Sequence, residues 1–201
     1  FCTMLNNYSG VKIFSEEERG FTKILAWGED RSGLFASLAA GLADLNVKII
    51  TANAYTLKDS RVMDVFHITD HNDQALLEKN HLNRIKAQLN KILTNTLDIS
   101  VENTTNPDIL MRALPVSVKQ HESAGHNVTA IEVVAADRKG LLATLARALL
   151  SEELVLKGVS ASTFGEKAVD MFFLVSKNGT RLSTQQTSGV IDRLKAAARI
   201  D

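Results

Sequence analysis

Hydrophobic residues recur along this 201-residue chain at two spacings, one typical of helices and one typical of strands. Four leucines at helical spacing predict a helix with one buried face over about residues 32–45: Leu34, Leu38, Leu42 and Leu45. β-Branched and aromatic residues are frequent in the segments on either side, as in strands. Those segments predict three strands, over residues 21–27, 47–57 and 62–69.

The same pattern returns in the second half of the chain, so the sequence contains an internal repeat. Asp30 corresponds to Asp137, and their offset of 107 aligns further pairs: Gly33 with Gly140, Leu38 with Leu145, and Ala54 with Ala161. One residue is then lost in a polar turn, after which Asp64 corresponds to Asp170. The second copy predicts a helix over about residues 139–152 and strands over 128–135, 155–164 and 168–176.

Each copy continues with a hairpin and a second helix. The predicted hairpins turn at residues 58–61 and 165–167. Apolar stripes at helical spacing predict the second helices: Leu82, Ile85, Leu89 and Ile92 in the first copy, and Val190, Ile191, Leu194 and Ala198 in the second. Ser183 and Gln186 fit a capping box at the start of the last helix.

The order β-α-β-β-α lacks the fourth strand of a ferredoxin-like sheet. Because the last helical stripe runs to Ala198, no strand is expected after it. β-Like runs at residues 11–15 and 116–120 precede the two copies, and we expect them to supply the fourth strands after turns at 17–20 and 123–126. The predicted fold class is α+β, with two ferredoxin-like modules, each a four-stranded antiparallel sheet with two helices on one face.

These elements divide the chain into two modules and a linker. We expect a tail over residues 1–10, a first module over 11–93, a linker over 94–115 and a second module over 116–201. Both prolines, Pro107 and Pro115, lie in the polar linker, which is typical of a connecting segment. Residues 109–114 within it are compatible with a short helix.

Composition excludes several classes of protein. Lys plus Arg and Asp plus Glu each number 23, so no net charge favours nucleic acid or an anionic membrane. No apolar run approaches the roughly 20 residues of a membrane span, and no signal peptide is recognisable. The single cysteine, Cys2, cannot form an internal disulfide, which favours a cytoplasmic location. The chain starts at Phe1, which suggests a piece of a longer protein.

A motif before each first helix occurs twice: Asp30-Arg31-Ser32-Gly33-Leu34-Phe35 and Asp137-Arg138-Lys139-Gly140-Leu141-Leu142. With the later segment Val62-Met63-Asp64-Val65-Phe66, it resembles the ACT domain, a small regulatory module that senses amino acids. The tandem arrangement, with a second copy containing the segment AVDMFFLVSKNGTRL, resembles the carboxy-terminal region of bifunctional uridylyltransferase/uridylyl-removing enzymes acting on the PII nitrogen-regulatory protein. The resemblance covers about residues 11–200.

The resemblance implies a regulatory function. The ACT pair would bind glutamine and bias a catalytic region, which would use Mg²⁺ and UTP, between adding UMP to PII and removing it. The sequence contains no His-Asp dipeptide of the kind that a phosphohydrolase of the HD class needs, and its five histidines do not recur between the copies. We therefore expect a non-catalytic chain with no metal ligands and no cofactor of its own.

A zwitterionic ligand needs an anion, a cation and a close-fitting surface. Asp30 and Asp137 are candidates for the ligand's ammonium group, and Arg31 and Arg138 for its carboxylate. The glycines would let a ligand approach the helix N-terminus, where backbone N–H groups favour anions. The resemblance adds one contact from the second strand of the opposite module. The predicted ligand-binding residues are Asp30, Arg31, Ser32, Gly33, Leu34, Asn53, Asp137, Arg138, Lys139, Gly140, Leu141 and Ser160.

Purely structural interpretations stay open at this point. Asp30 and Asp137 are also typical helix caps, the glycines are compatible with helix–strand packing, and the arginines suit solvated surface positions or partners for carboxylates. Asp64 and Asp170 suggest edge or turn-facing positions within apolar strands, whereas His67 and three phenylalanines suggest structural packing: Phe66, Phe172 and Phe173.

The alternative function is a protein-interaction or oligomerisation module without a ligand. Apolar side chains on the predicted strands would then form the interface: Met63, Val65, Met171 and Phe173. A stand-alone enzyme is disfavoured by the lack of catalytic motifs.

Overall fold

The computed structural model describes residues 8–57, 61–94, 114–121, 127–150 and 154–199. The first half contains β1 (Gly10–Glu16), β2 (Phe21–Glu29), α1 (Leu34–Asp44), β3 (Lys48–Thr56), β4 (Arg61–Thr69) and α2 (Lys79–Leu93). The second contains β5 (Ser117–His121), β6 (Thr129–Ala136), α3 (Leu141–Ala148), β7 (Leu154–Phe164), β8 (Lys167–Ser176) and α4 (Thr184–Ala198). Every strand and main helix that the hydrophobic pattern predicts is confirmed.

Several local predictions are also confirmed. Residues Glu17–Arg19 form a 3-10 turn that ends at the left-handed Gly20, and a tight turn after Phe164 joins β7 to β8. Ser183 and Gln186 form the predicted capping box at the start of α4. The turn at residues 58–60, the turn at 123–126 and most of the linker with its short helix lie outside the described residues.

The strands form one eight-stranded sheet in the order β1-β2-β4-β3-β7-β8-β6-β5, with every described pair antiparallel. Each half of this order is a ferredoxin-like sheet, in which the strand before the repeat lies at the outer edge. Val11 of β1 pairs with Ala26 of β2, and Val118 of β5 pairs with Val133 of β6. The predicted origin of the fourth strand is therefore confirmed in both modules.

The ladder between β3 and β7 joins the two modules into one sheet. It pairs residues 51–55 with residues 158–162, so the modules meet through backbone hydrogen bonds at equivalent strands. On the helical face, α1 packs against both α2 and α3. Residues 34–43 of α1 are all buried, and four alanines and a glycine among them allow neighbouring helices to approach closely.

Side chains point alternately to the two faces of the sheet, and one face is buried while the other is more open. In β4, Asp64, Phe66 and Ile68 are buried under the helices, whereas Met63 and Val65 point to the opposite face and are partly exposed. His67 contacts the ring of Phe21 with 4.4 Å between ring centroids. The structural interpretation of His67, Phe66 and Phe172 is therefore confirmed, since both phenylalanines are fully buried.

Candidate functional site

Two cavities lie where the modules meet, and each combines the motif loop of one module with a strand region of the other. The first cavity, of about 320 Å³, brings residues 30–36 against residues 154–158 of β7. The second, of about 530 Å³, brings residues 137–143 against residues 46–50 at the start of β3. Both volumes suit a small molecule, for which sites of roughly 300–1000 Å³ are typical.

The ten predicted motif residues all line these cavities. Asp30, Arg31, Ser32, Gly33 and Leu34 line the first cavity, and Asp137, Arg138, Lys139, Gly140 and Leu141 line the second. The tertiary structure thus places both copies of the motif at equivalent positions on the boundary between the modules.

The glycines of the motif are required by backbone conformation. Gly33 and Gly140 have φ values of 77° and 76°, in the left-handed region that favours glycine. They are the N-cap residues, and the helices begin at Leu34 and Leu141, about two residues later than predicted. A Cβ atom at Gly33 would lie 3.4 Å from the nearest atom of Leu150, which is ordinary contact, so packing does not demand the glycine.

The arginines of the motif bind the ends of the second helices. Arg31 Nη2 donates a hydrogen bond to the carbonyl oxygen of Ile92 (2.6 Å), and Arg138 Nη2 donates one to that of Ala197 (2.8 Å). Both acceptors lie in the last turns of α2 and α4, where unpaired carbonyl groups and the helix dipole favour a cation. The interpretation of these arginines as solvated surface residues is wrong.

Replacing Arg31 or Arg138 by methionine is expected to lower the free energy of unfolding by about 1–3 kcal/mol, because a partly buried helix end loses its charge-assisted donor. Thermal unfolding measures the change. Arg19→Met is the matched control: its side chain is 70% exposed and its ion pair with Glu16 spans only three residues. It is expected to change the free energy by under about 0.5 kcal/mol. Equal losses in all three variants would contradict the assignment.

The aspartates of the motif do not cap the helices. Neither α1 nor α3 has a side-chain hydrogen bond at its N-cap, so the capping interpretation of Asp30 and Asp137 is wrong. Burial raises the pKa of Asp30, although Lys157 of the opposite module opposes the rise. Burial likewise raises the pKa of Asp137 to about 6, against the effect of Lys48. Each carboxylate therefore experiences the field of a lysine from the other module.

A second, buried aspartate lines each cavity. Asp64 in β4 is 2% exposed and Asp170 in β8 is 3% exposed, and they line the first and second cavity respectively. Burial, reinforced by the nearby Asp30, raises the pKa of Asp64 to about 8. Burial with Asp137 nearby raises that of Asp170 to about 7. The expected edge or turn-facing positions are wrong, because β4 and β8 are interior strands.

The two predicted strand residues lie away from the cavities. Asn53 and Ser160 pair with each other across the β3–β7 ladder, and neither lines a cavity. Because side chains alternate along a strand, they point to the face opposite the one that holds the buried Ala52 and Ala161. Their contact with a ligand therefore stays a prediction without geometric support.

Sequence reasoning missed the residues that the opposite module contributes. Lys157 lines the first cavity, and Lys48 lines the second, where its Nζ lies 2.9 Å from Asp73 Oδ1. Lys139 Nζ donates a hydrogen bond to Asn46 Oδ1 (3.0 Å), which links the second motif to the first module. The 107-residue offset does not pair Lys48 with Lys157, so the repeat carried no signal for them.

Known proteins with similar sequences are uridylyltransferase/uridylyl-removing enzymes. Over 185 residues the chain is 31% identical to the bifunctional uridylyltransferase/uridylyl-removing enzyme of Vibrio parahaemolyticus, which covers 92% of the chain and 21% of that enzyme. The enzyme of the same name from Gluconobacter oxydans is 30% identical over 179 residues, or 86% of the chain and 19% of the enzyme. The chain is homologous to a region of these enzymes. The predicted resemblance to a region of these enzymes is thereby confirmed.

The chain spans about a fifth of the length of these uridylyltransferase/uridylyl-removing enzymes. No protein-family model matches it. Among solved structures, an aspartate kinase from Synechocystis is similar over 88% of the chain and 26% of its own, with 19% identity and a TM-score of 0.48, which is too low to bear on function.

Two further properties concern the described residues alone. No helix there is long and apolar enough to cross a membrane. Within the same residues, no three His, Cys, Asp or Glu side chains cluster as a metal ion would require.

Proposed function

We propose that this chain is an amino-acid-binding regulatory region, which takes up glutamine in the two cavities and thereby controls a uridylyltransferase/uridylyl-removing activity. The main support is the repetition of one arrangement at both cavities: a motif aspartate, a buried aspartate below it and a lysine from the opposite module. The homology to part of enzymes with this activity supports the same conclusion.

The side chains of each cavity match the two charges of a zwitterion. The ammonium group would bind Asp30 in the first cavity and Asp137 in the second through charge-assisted hydrogen bonds. The carboxylate would lie toward Lys157 or Lys48, which each belong to the opposite module. A ligand held in this way contacts both modules at once.

The proposed choice of glutamine follows from charge. Each cavity already contains two carboxyl groups, so a ligand with a second carboxylate, such as glutamate, would bring like charges together in a partly desolvated space. Glutamine has similar size but an uncharged side chain that donates and accepts hydrogen bonds.

Regulation would come from the position of the cavities between the modules. A ligand shifts a conformational equilibrium only if it binds two arrangements with different affinity, and a site built from both modules satisfies that requirement when their separation changes. We propose that the remainder of the parent enzyme, acting in the cytoplasm on PII with Mg²⁺ and UTP, responds to this change.

Isothermal titration of the chain with glutamine tests the proposal. We expect saturable binding with a stoichiometry of up to two, and affinity for glutamate at least about tenfold weaker, because like-charge contact inside the cavity costs more than about 1.4 kcal/mol. Alanine, which lacks the side-chain amide, serves as a second comparison. A titration that shows no heat with any amino acid would overturn the sensor function.

One observation favours a second candidate function, that of a protein-interaction module. The face of the sheet opposite the helices presents partly exposed apolar side chains from both modules: Met63, Val65, Met171 and Phe173. Tyr55 and Phe14 on the same face are 48% and 45% exposed. A molecular mass that rises with concentration and does not respond to glutamine would favour this function.

A further inference from the structure

We propose that Asp64 and Asp170 are the second anionic partners of each ligand's ammonium group, and that binding expels a proton from each cavity. This inference rests on the proposed amino-acid binding. It assigns a chemical role to two residues that do not belong to the Asp-Arg-x-Gly motif.

Each cavity contains a buried aspartate whose negative charge no neighbouring described residue neutralises. Asp64 and Asp170 are 2% and 3% exposed, yet both line a cavity, so the small accessible part of each residue lies at the site. Within the described part of the chain, burial and a neighbouring aspartate raise the pKa of each carboxyl group, and no hydrogen bond or cation offsets that rise. A buried carboxylate without a partner is strongly disfavoured, so each group either keeps its proton or takes up a cation.

The cations near the first cavity do not neutralise Asp64. Arg31 Nη2 donates to the carbonyl oxygen of Ile92 while its buried Nε has no partner among the described residues, Lys157 acts on Asp30, and neither cation lowers the pKa of Asp64. The remaining titratable groups that line this cavity are Asp30, which repels a negative charge on Asp64, and Tyr55.

The second cavity is arranged in the same way around Asp170. Arg138 Nη2 donates to the carbonyl oxygen of Ala197 while its buried Nη1 has no partner among the described residues, Lys48 pairs with Asp73, and Lys139 binds Asn46. None of these cations lowers the pKa of Asp170. The other titratable groups that line the cavity are Asp137, His71 and Glu166. In both cavities, a ligand's ammonium group would therefore supply the counter-charge that the buried acid lacks.

The proton balance follows directly. When the ammonium group enters, the O–H bond of Asp64 breaks, the carboxylate keeps the electron pair and faces the cation, and the proton passes to the buffer. Since the bound cation lowers the pKa of Asp64 below its ligand-free value of about 8, glutamine affinity rises with pH and levels off above about 8. For Asp170 the corresponding limit is about 7.

Calorimetry in two buffers measures the protons directly. Glutamine is titrated into the chain near about pH 7 in phosphate and in Tris, whose ionisation enthalpies differ, and the difference in apparent heat gives the number of protons released. We expect net release in the parent chain and reduced release in Asp64→Asn. That variant is also expected to bind glutamine about tenfold more weakly at the first cavity, because a charged partner of the ammonium group is replaced by an amide.

Asp192→Asn provides the matched control, since Asp192 is exposed on α4 and lines neither cavity. It should match the parent chain in proton release and affinity. Equal heats in the two buffers together with unchanged affinity in Asp64→Asn would overturn this inference alone. Absence of amino-acid binding overturns the proposed function and this inference with it.

A second measurement does not depend on any ligand. Carbon NMR of the aspartate carboxyl groups in the ligand-free chain, assigned with the Asp64→Asn and Asp170→Asn variants, follows each titration. We expect the carboxyl groups of Asp64 and Asp170 to titrate at higher pH than the other aspartates, Asp137 included. Titration of both near the ordinary value of about 4 would overturn the inference.

Discussion

Replacing Asp30 and Asp137 together by asparagine is expected to weaken glutamine binding strongly at both cavities, and each single replacement is expected to weaken it at one cavity. Each carboxylate lines its own cavity and faces a lysine of the opposite module. A hydrogen bond to a charged group contributes about 1.5–3 kcal/mol, which corresponds to roughly 10- to 150-fold in Kd. Calorimetry should therefore show one weakened site and one site of unchanged affinity in either single variant.

Asp192→Asn is again the control, because it removes an exposed carboxylate outside both cavities. It should retain both sites, and circular dichroism should show the same fold for all variants. A single variant at Asp30 or Asp137 that kept two sites of unchanged affinity would contradict the assignment of that aspartate.

Replacing Phe66 by alanine is expected to lower the free energy of unfolding by about 3–5 kcal/mol, because the fully buried ring leaves a void that the sheet and helices cannot close. Phe66 stacks on Phe35 with 5.8 Å between ring centroids and 15° between ring planes. Since Phe35 lines the first cavity, the loss should also weaken ligand binding there. Urea unfolding measures the stability, and Tm should fall by on the order of 10 °C.

Two further phenylalanines make this prediction specific. Phe172 occupies the equivalent position of the second module and is also fully buried, so Phe172→Ala should cost a similar amount. Phe164 is 66% exposed at the end of β7, and its replacement should change the free energy by less than about 0.5 kcal/mol. Equal effects at Phe66 and Phe164 would be incompatible with the described core.

The burial of Asp64 and Asp170 is not predictable from the sequence pattern of a single strand. The repeat aligned Asp64 with Asp170, but the pattern of one strand does not show whether neighbouring strands cover it. The sequence predicts a position at an edge of the sheet for both residues, because a charged side chain in a strand is rarely buried. Their burial depends on β2 and β3 flanking β4, and on β6 and β7 flanking β8.

The positions of Asn53 and Ser160 show a second limit of prediction from the sequence. Asn53 and Ser160 were expected at the ligand because the resemblance places a strand of the opposite module there. Strands β3 and β7 do join the modules, but the alternation of side chains directs these two residues to the face opposite the cavities. The residues that enter the cavities from that region include Lys48 and Lys157.

The repeat, the strands and helices, and the outer edge strand of each module are predictable from the sequence, because they follow from periodicity and turn chemistry within a few residues. The role of the doubled Asp-Arg-x-Gly motif depends on the tertiary structure. It directs the arginines to the ends of α2 and α4 and leaves the aspartates to line the cavities. It also places a buried acid below each aspartate and a lysine from the opposite module beside it. These arrangements arise from contacts between residues far apart in the chain, above all the β3–β7 ladder, which no local pattern specifies.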